Sequence, residues 1–205
     1  GSRVVSYLYD DFGDVTESKA TGYSGSENEL QYTGAVHDEL TGLYNKRSLN
    51  RYLEDVFEDC LLNEKELGIL FLDIDHFKQL NDRYGHGRGD EGICAVADTL
   101  KKCFPEDYVA RYGGDEFLVV MTGRDREYAE EHARQLCMGI RECEIPNEDS
   151  SVEPWLTISV GGVCAIPKEP NRVWDFLSAA DKTLYDQKNE QKGKVRFYVG
   201  EGQYL

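Results

Sequence analysis

Two short acidic stretches hold the side chains with the greatest capacity for chemistry. Asp115 and Glu116 directly follow Gly113-Gly114, and Asp73 and Asp75 close the apolar run Leu67-Gly68-Ile69-Leu70-Phe71-Leu72, about forty residues upstream. Carboxylates at the end of a buried segment are costly unless a cation neutralises them. A hard divalent ion is the economical partner, because Mg²⁺ takes one or two carboxylates and completes its shell with water and substrate phosphate oxygens. If the two segments are neighbours, Asp73 with Asp115 or Glu116 makes such a site. Taken singly, Gly-Gly is an ordinary hairpin turn and Asp-Glu an ordinary solvated pair. The second acidic segment tips the reading towards a shared cation.

The elements that must position these groups follow from periodicity. Asp107 to Ala110 reads as a short strand and Phe117 to Met121 as a buried one, so Gly113-Gly114 is the turn of a β-hairpin with the acids at its tip. Leu67 to Asp73 reads as a strand buried on both faces, with Asp73 and Asp75 spaced to point the same way. Asp38 to Thr41 supplies a helix start, and Ser48 to Leu62 carries Leu49, Leu53, Val56, Phe57 and Leu61 at helical spacing. His76 to Tyr84 is a short helix ended by Gly85, and Arg88 to Phe104 a longer one. The backbone N–H groups that open the helix after Asp75 favour an anion. Arg124 to Ile140 is amphipathic, and Trp155 to Ala165 is a core strand in which Gly161-Gly162 implies a bulge or close packing. Arg172 to Gln191 forms the last helix, with Val173, Phe176, Leu177, Ala180, Leu184 and Tyr185 inward and Lys188 and Lys192 on one side at i,i+4. His76 and His86 read as structural. Strands alternating with helices around an obligatory hairpin define an α/β fold, with a mixed, mostly antiparallel central sheet flanked by helices.

Composition narrows the function classes. With 205 residues and 40% hydrophobic content, the chain fits one domain plus an extension. A net charge of −16 argues against non-specific nucleic-acid binding, which neutralises phosphates with Lys and Arg. It leaves room for a nucleotide, because a metal and a few local cations can hold a triphosphate on an acidic protein. No run reaches the length of a membrane span and no signal peptide opens the chain, which implies a cytoplasmic location. Cys60, Cys94, Cys103, Cys137, Cys143 and Cys164 show no zinc spacing and read as small buried hydrophobes in a reducing compartment.

The chain resembles the GGDEF domain, the diguanylate cyclase family, from about Asp38 to Phe197. Gly113-Gly114-Asp115-Glu116-Phe117 is the intact signature, joined by Asp38-Glu39-Leu40-Thr41-Gly42-Leu43-Tyr44-Asn45, by Asp73 through Asp82 leading to Gly85-His86 and Gly89-Asp90, by Thr157 to Gly161, and by Ala180 to Tyr185. The resemblance implies a fold similar to nucleotide cyclase and polymerase palm domains. It implies condensation of two GTP into cyclic di-GMP, with release of pyrophosphate, by a homodimer using Mg²⁺ or alternatively Mn²⁺. Asp73, the Ile74 carbonyl and Asp115 are then the metal ligands, and Asp115 and Glu116 the catalytic acids. Phe77, Lys78, Gly113, Gly114, Lys188 and Lys192 lie along the nucleotide, with Asn81 and Asp90 on guanine. The usual Gly-Arg-Asn that follows the last helix reads Gln191-Lys192-Gly193, which keeps charge but gives up the bidentate fork. Many relatives carry an inhibitory product site, Arg-x-x-Asp, which here reads Phe104-Pro105-Glu106-Asp107, so inhibition through it is expected to be absent.

Residues 1–36 read as a linker or the remnant of an upstream sensor, and 37–205 as the cyclase domain. Arg3 to Tyr9 is a strand candidate and Asp10 to Ser26 reads as loop. Asp14 to Glu17, followed by Glu29 to Tyr32, is similar to the end of a PAS sensor and its linker helix. The alternative function is a weak or inactive GGDEF module that binds GTP or a partner protein. A relative making an adenine-containing dinucleotide is disfavoured by Asp90.

Overall fold

Eight consecutive residues, Leu67–Ile74, form β3, the central strand of the sheet. Its side chains alternate between two cores. Leu70, Leu72 and Ile74 face one, and Leu67, Ile69 and Phe71 the other, which is why the run is apolar throughout rather than every second residue. The computed structural model describes residues 6–9, 15–19 and 36–199. Within them the chain divides into two compact units, with the boundary between Gly34 and Ala35.

The first unit contains β1 (Ser6–Tyr9) and β2 (Val15–Lys19), paired antiparallel. The second strand corrects the reading of Asp10 to Ser26 as loop. Asp14 and the expected linker helix at Glu29 to Tyr32 lie outside the described residues.

The second unit runs α1 (Lys46–Leu62), β3, α2 (Phe77–Tyr84), α3 (His86–Cys103), β4 (Tyr108–Gly113), β5 (Glu116–Thr122), α4 (Arg126–Glu142), β6 (Ile158–Ala165), α5 (Val173–Glu190) and β7 (Val195–Phe197). Its five-stranded sheet has the order β4-β5-β3-β6-β7, antiparallel except for the parallel β6–β7 pair. Helices α1 and α5 cover one face through Leu49, Leu53, Phe57, Phe176 and Leu184. Helices α3 and α4 cover the other through Ile93, Val96, Leu100, Leu136 and Ile140. The mixed α/β architecture expected from sequence is therefore present.

Several boundaries move for identifiable reasons. Helix α1 starts at Asn45, whose side chain accepts from the Ser48 N–H at 3.0 Å, and Asp38 to Thr41 is instead a turn. Gly161 and Gly162 mark close packing and not a bulge, since β6 stays in register throughout. A Cβ at Gly161 would lie 2.2 Å from the Leu184 nitrogen of α5. Tyr185 is 66% exposed rather than inward. Lys192 is off the helix, because α5 ends at Glu190 and Gln191 is already extended. Strand β7 was not anticipated; three residues give too short a pattern. Among the cysteines, Cys60 and Cys137 are buried but Cys143 is exposed.

Candidate functional site

The antiparallel register of β3 and β5 sets Asp73 directly opposite Glu116. The Ile74 N–H donates to the Asp115 carbonyl at 3.3 Å, so the backbone of the hairpin tip lies against the end of β3. The turn is Gly114-Asp115 rather than Gly113-Gly114, because Gly113 still pairs with Glu116 as the last residue of β4; Gly114, at φ +32°, has no atoms within 4 Å of a would-be Cβ. From the facing helix α5, Lys188 Nζ donates to Asp73 Oδ1 at 2.6 Å. Burial pushes the Asp73 carboxyl above its ordinary range, with Lys188 opposing and Asp115 and Asp75 adding to the rise. Burial also raises Glu116, helped by Asp73, Asp115 and Asp181 and opposed by Lys188. Burial and neighbouring carboxylates thus raise both Asp73 and Glu116, and Lys188 opposes the rise at each, so added positive charge here is favourable.

Asp75 does not share that locus as a free ligand. It is fully buried, and its two carboxylate oxygens accept from Thr157 Oγ1 at 2.8 Å and Ser159 Oγ at 2.7 Å. The expectation that it points the same way as Asp73 fails because the strand ends at Ile74. Asp75 serves as a staple: its N–H reaches the Thr157 carbonyl, and its carbonyl accepts from Asn147 Nδ2 at 3.3 Å. Ser159 extends the staple by accepting from the Gly193 N–H at 3.1 Å. Gly193 sits at φ +71°, and a Cβ there would lie 2.8 Å from Val152 Cγ1, so this turn is fitted to glycine.

At the same end of β3, His76 adopts a left-handed conformation and opens α2 with no side-chain cap. The first N–H groups of α2, at Phe77 and Lys78, are left for an external acceptor. The His76 imidazole is held below its ordinary pKa by burial and then by Lys192, with Asp75 opposing and Lys188 adding a smaller contribution. Lys78 is exposed. On α2, Asn81 Oδ1 is buried with no hydrogen-bond partner. Gly89 makes room for it, since a Cβ there would lie 2.0 Å from Asn81 Oδ1. Asp90 follows on the exposed side of α3.

Arg111 is the residue whose importance composition could not reveal. Its Nε and Nη2 donate to the Gly114 carbonyl at 3.0 and 2.7 Å, and Nη1 donates to both Asp38 carboxylate oxygens at 3.1 Å. Asp38 in turn accepts from the Thr41 N–H and hydroxyl at 2.9 and 2.7 Å. The Asp38-to-Thr41 turn is thus tied to the hairpin tip. In the Phe104-to-Asp107 window, Phe104 is 1% exposed in the core, and Asp107 accepts from the Tyr128 hydroxyl at 3.0 Å.

A mixed sheet with acids at a hairpin tip, opposite an aspartate closing the central strand, defines a nucleotide cyclase-type domain. The family described as "Diguanylate cyclase, GGDEF domain" matches residues 35–194, and the chain belongs to it. It is 33% identical over 185 residues to the probable diguanylate cyclase DgcC of Escherichia coli K12, covering 90% of this chain and 48% of that protein. It is 31% identical over 183 residues to the diguanylate cyclase DgcM of the same organism, covering 89% and 42%. The chain thus spans about half the length of these curated relatives. Among solved structures, the GGDEF domain of DgcB from Caulobacter crescentus in complex with c-di-GMP aligns with a TM-score of 0.72 and 25% identity, over 80% of this chain and 95% of that one. The GGDEF domain of YfiN (TpbB) from Pseudomonas aeruginosa aligns at 0.69 and 29%, over 78% and 93%.

Proposed function

We propose that this chain is a diguanylate cyclase that condenses two GTP molecules into cyclic di-GMP and releases pyrophosphate, working as a homodimer. The observation that carries the reading is the register placing Asp73 opposite Glu116, with the Asp115 backbone against Ile74. The donor set fits a divalent ion. Among the described residues no three acidic, His or Cys side chains form a complete cage, and Mg²⁺ asks for none, because phosphate and water oxygens complete its shell. Asp73, the Ile74 carbonyl and Asp115 are the residues that would hold Mg²⁺ or Mn²⁺. When bound, such an ion polarises the α-phosphate and acidifies the attacking 3′-hydroxyl.

The chain's own groups supply the rest. Glu116, with its raised pKa, is suited to accept the proton of that hydroxyl. Lys188, now on Asp73, exchanges that contact for a terminal phosphate, and Lys192 joins it. Phe77 and Lys78 present the amides of the α2 N-terminus, while Gly113 and Gly114 allow the nucleotide to approach the hairpin backbone. The orphaned Asn81 Oδ1 asks for a donor, which the guanine edge provides, and Asp90 accepts from the same edge. Each domain binds one nucleotide, so the two reacting phosphates meet only when two domains face each other. The cytoplasm, where GTP and Mg²⁺ are supplied, is the compartment this reading requires, with residues 1–36 as the link to an upstream sensor.

Incubating the purified chain with GTP and Mg²⁺ and identifying the product by mass spectrometry tests the reading. Cyclic di-GMP from the wild type, lost in Glu116→Gln, supports it. The second reading, a module that binds GTP or a partner without turnover, is favoured by Lys192 standing where relatives carry arginine. GTP binding without any product would establish it.

A further inference from the structure

On the opposite edge of the sheet from the hairpin β4–β5, a groove of about 540 Å³ runs between α4 and β7. Its lining contrasts with a chain of net charge −16: Arg126, Arg134, Arg141, Lys194 and Arg196 face it with Glu130 as the one lining acid. Glu130, 30% exposed, pairs with Arg126 and Arg134, and Arg141 is held by Glu153, whereas the carboxylate on Arg196, Glu190, is 70% exposed and Lys194 has no ion-pair partner among the described residues. Exposed ion pairs are weak and exchange readily for an incoming carboxylate. The floor is apolar, with Met138 53% exposed beside Phe197 and Val195.

Strand β7 bounds the groove and, among the described residues, is the last strand of the sheet. Its partner-facing groups are defined by two bonds, Val160 N–H to the Lys194 carbonyl at 3.0 Å and Tyr198 N–H to the Gly162 carbonyl at 2.7 Å. Alternation along a strand then turns the N–H and C=O groups of Val195 and Phe197 away from β6, towards the open edge. Arginines frame that edge at both ends: Arg141 donates to the Gly193 carbonyl at 2.9 Å and Arg126 to the Tyr198 carbonyl at 3.3 Å.

We propose that this groove is a docking site for an extended acidic segment of a partner protein, which adds as a strand beside β7. Its backbone pairs with Val195 and Phe197, alternate carboxylates meet Lys194 and Arg196, and the intervening apolar side chains, on the α4 face, cover Met138 and Phe197. Strand addition of this kind draws affinity from main-chain bonds and specificity from alternate side chains. A free phosphate or a nucleic-acid backbone matches the charge but offers neither the alternating main-chain donors and acceptors nor the apolar positions.

The test is fluorescence anisotropy of the full chain with a labelled peptide alternating glutamate and valine, against a lysine–valine control. The acidic peptide is expected to bind, the control not to bind, and added salt to weaken the complex. The double variant Lys194→Glu with Arg196→Glu should lose affinity by roughly tenfold or more, and Lys194→Glu alone by roughly threefold, with circular dichroism confirming the fold of each. Hydrogen exchange should slow at Val195 and Phe197 on binding. The proposal is overturned if the acidic peptide does not bind, if neither reversal affects its affinity, or if those two amides stay unprotected. It is equally overturned if tripolyphosphate, duplex DNA or anionic lipid vesicles bind in an arginine-dependent way while the peptide does not.

Discussion

Replacing Arg111 by alanine removes four hydrogen bonds at once, two to the Gly114 carbonyl and two to the Asp38 carboxylate. The side chains of the ion pair are 16% and 23% exposed, so the pair is neither a free surface contact nor a fully buried one. Breaking a buried pair costs about 3–5 kcal/mol. Asp38 keeps both Thr41 bonds and some solvent, which lowers the expected loss to about 2–3 kcal/mol. For a domain of this size that is a fall in Tm of roughly 4–12 °C. Turnover should fall further than stability alone predicts, because the released carbonyl belongs to the turn that aims Asp115 and Glu116. A displacement of about 1 Å in such a group costs on the order of 100-fold.

Arg111→Lys should be intermediate, since a point charge replaces the fork. The pH dependence has a defined sign. Burial raises Asp38, but Thr41 and Arg111 outweigh it and hold the carboxyl below its ordinary value of 3.8. A depressed folded pKa contributes stability above the unfolded value and loses it as pH falls through the folded one. The deficit of Arg111→Ala should therefore be full at neutral pH and shrink in acid. The assays are urea denaturation across pH and GTP turnover. An Arg111→Ala protein with unchanged midpoint and turnover within threefold of wild type would refute the clamp.

Three further perturbations probe other parts of the structure. Glu116 has a raised folded pKa, so its contribution to stability is present in acid and lost as pH rises; Glu116→Gln should therefore raise Tm by roughly 1–4 °C at neutral pH, lose that advantage near pH 4, and abolish turnover. Equal melting curves at neutral pH would contradict it. Gly161→Ala drives a methyl into the α5 backbone and should cost about 3 kcal/mol or more, read by denaturant midpoint, whereas wild-type stability would show that α5 can shift. Asp107→Ala should remove about 1 kcal/mol with its Tyr128 bond while leaving cyclic di-GMP affinity, measured calorimetrically, unchanged. Tight product binding abolished by that change would restore the inhibitory site that Phe104 leaves incomplete.

Long apolar or periodic segments were legible because each answers to the cores it packs against, one for an amphipathic helix and two for β3. Leu67 to Asp73 and Phe117 to Met121 read as buried strands and the glycine pair marked the hairpin to within one residue, but that the two strands are neighbours came only from the register. What the sequence hid was non-local. Arg111 looked like any strand residue until Asp38, 73 positions away, met its guanidinium. Asp75 matched Asp73 in type and spacing, yet Thr157 and Ser159 claimed it because β3 ends one residue earlier. Strand β7 is three residues long and has no period to read, although its open edge carries the second candidate surface.

The shared cation is the centre of the catalytic reading, and electron paramagnetic resonance of Mn²⁺ with a non-hydrolysable GTP analogue reports on it directly. The free-ion signal that remains with the analogue alone should drop further when the wild-type chain is added, and should stay at the analogue-only level with Asp73→Asn. An identical drop for both proteins would show that the end of β3 does not hold the metal.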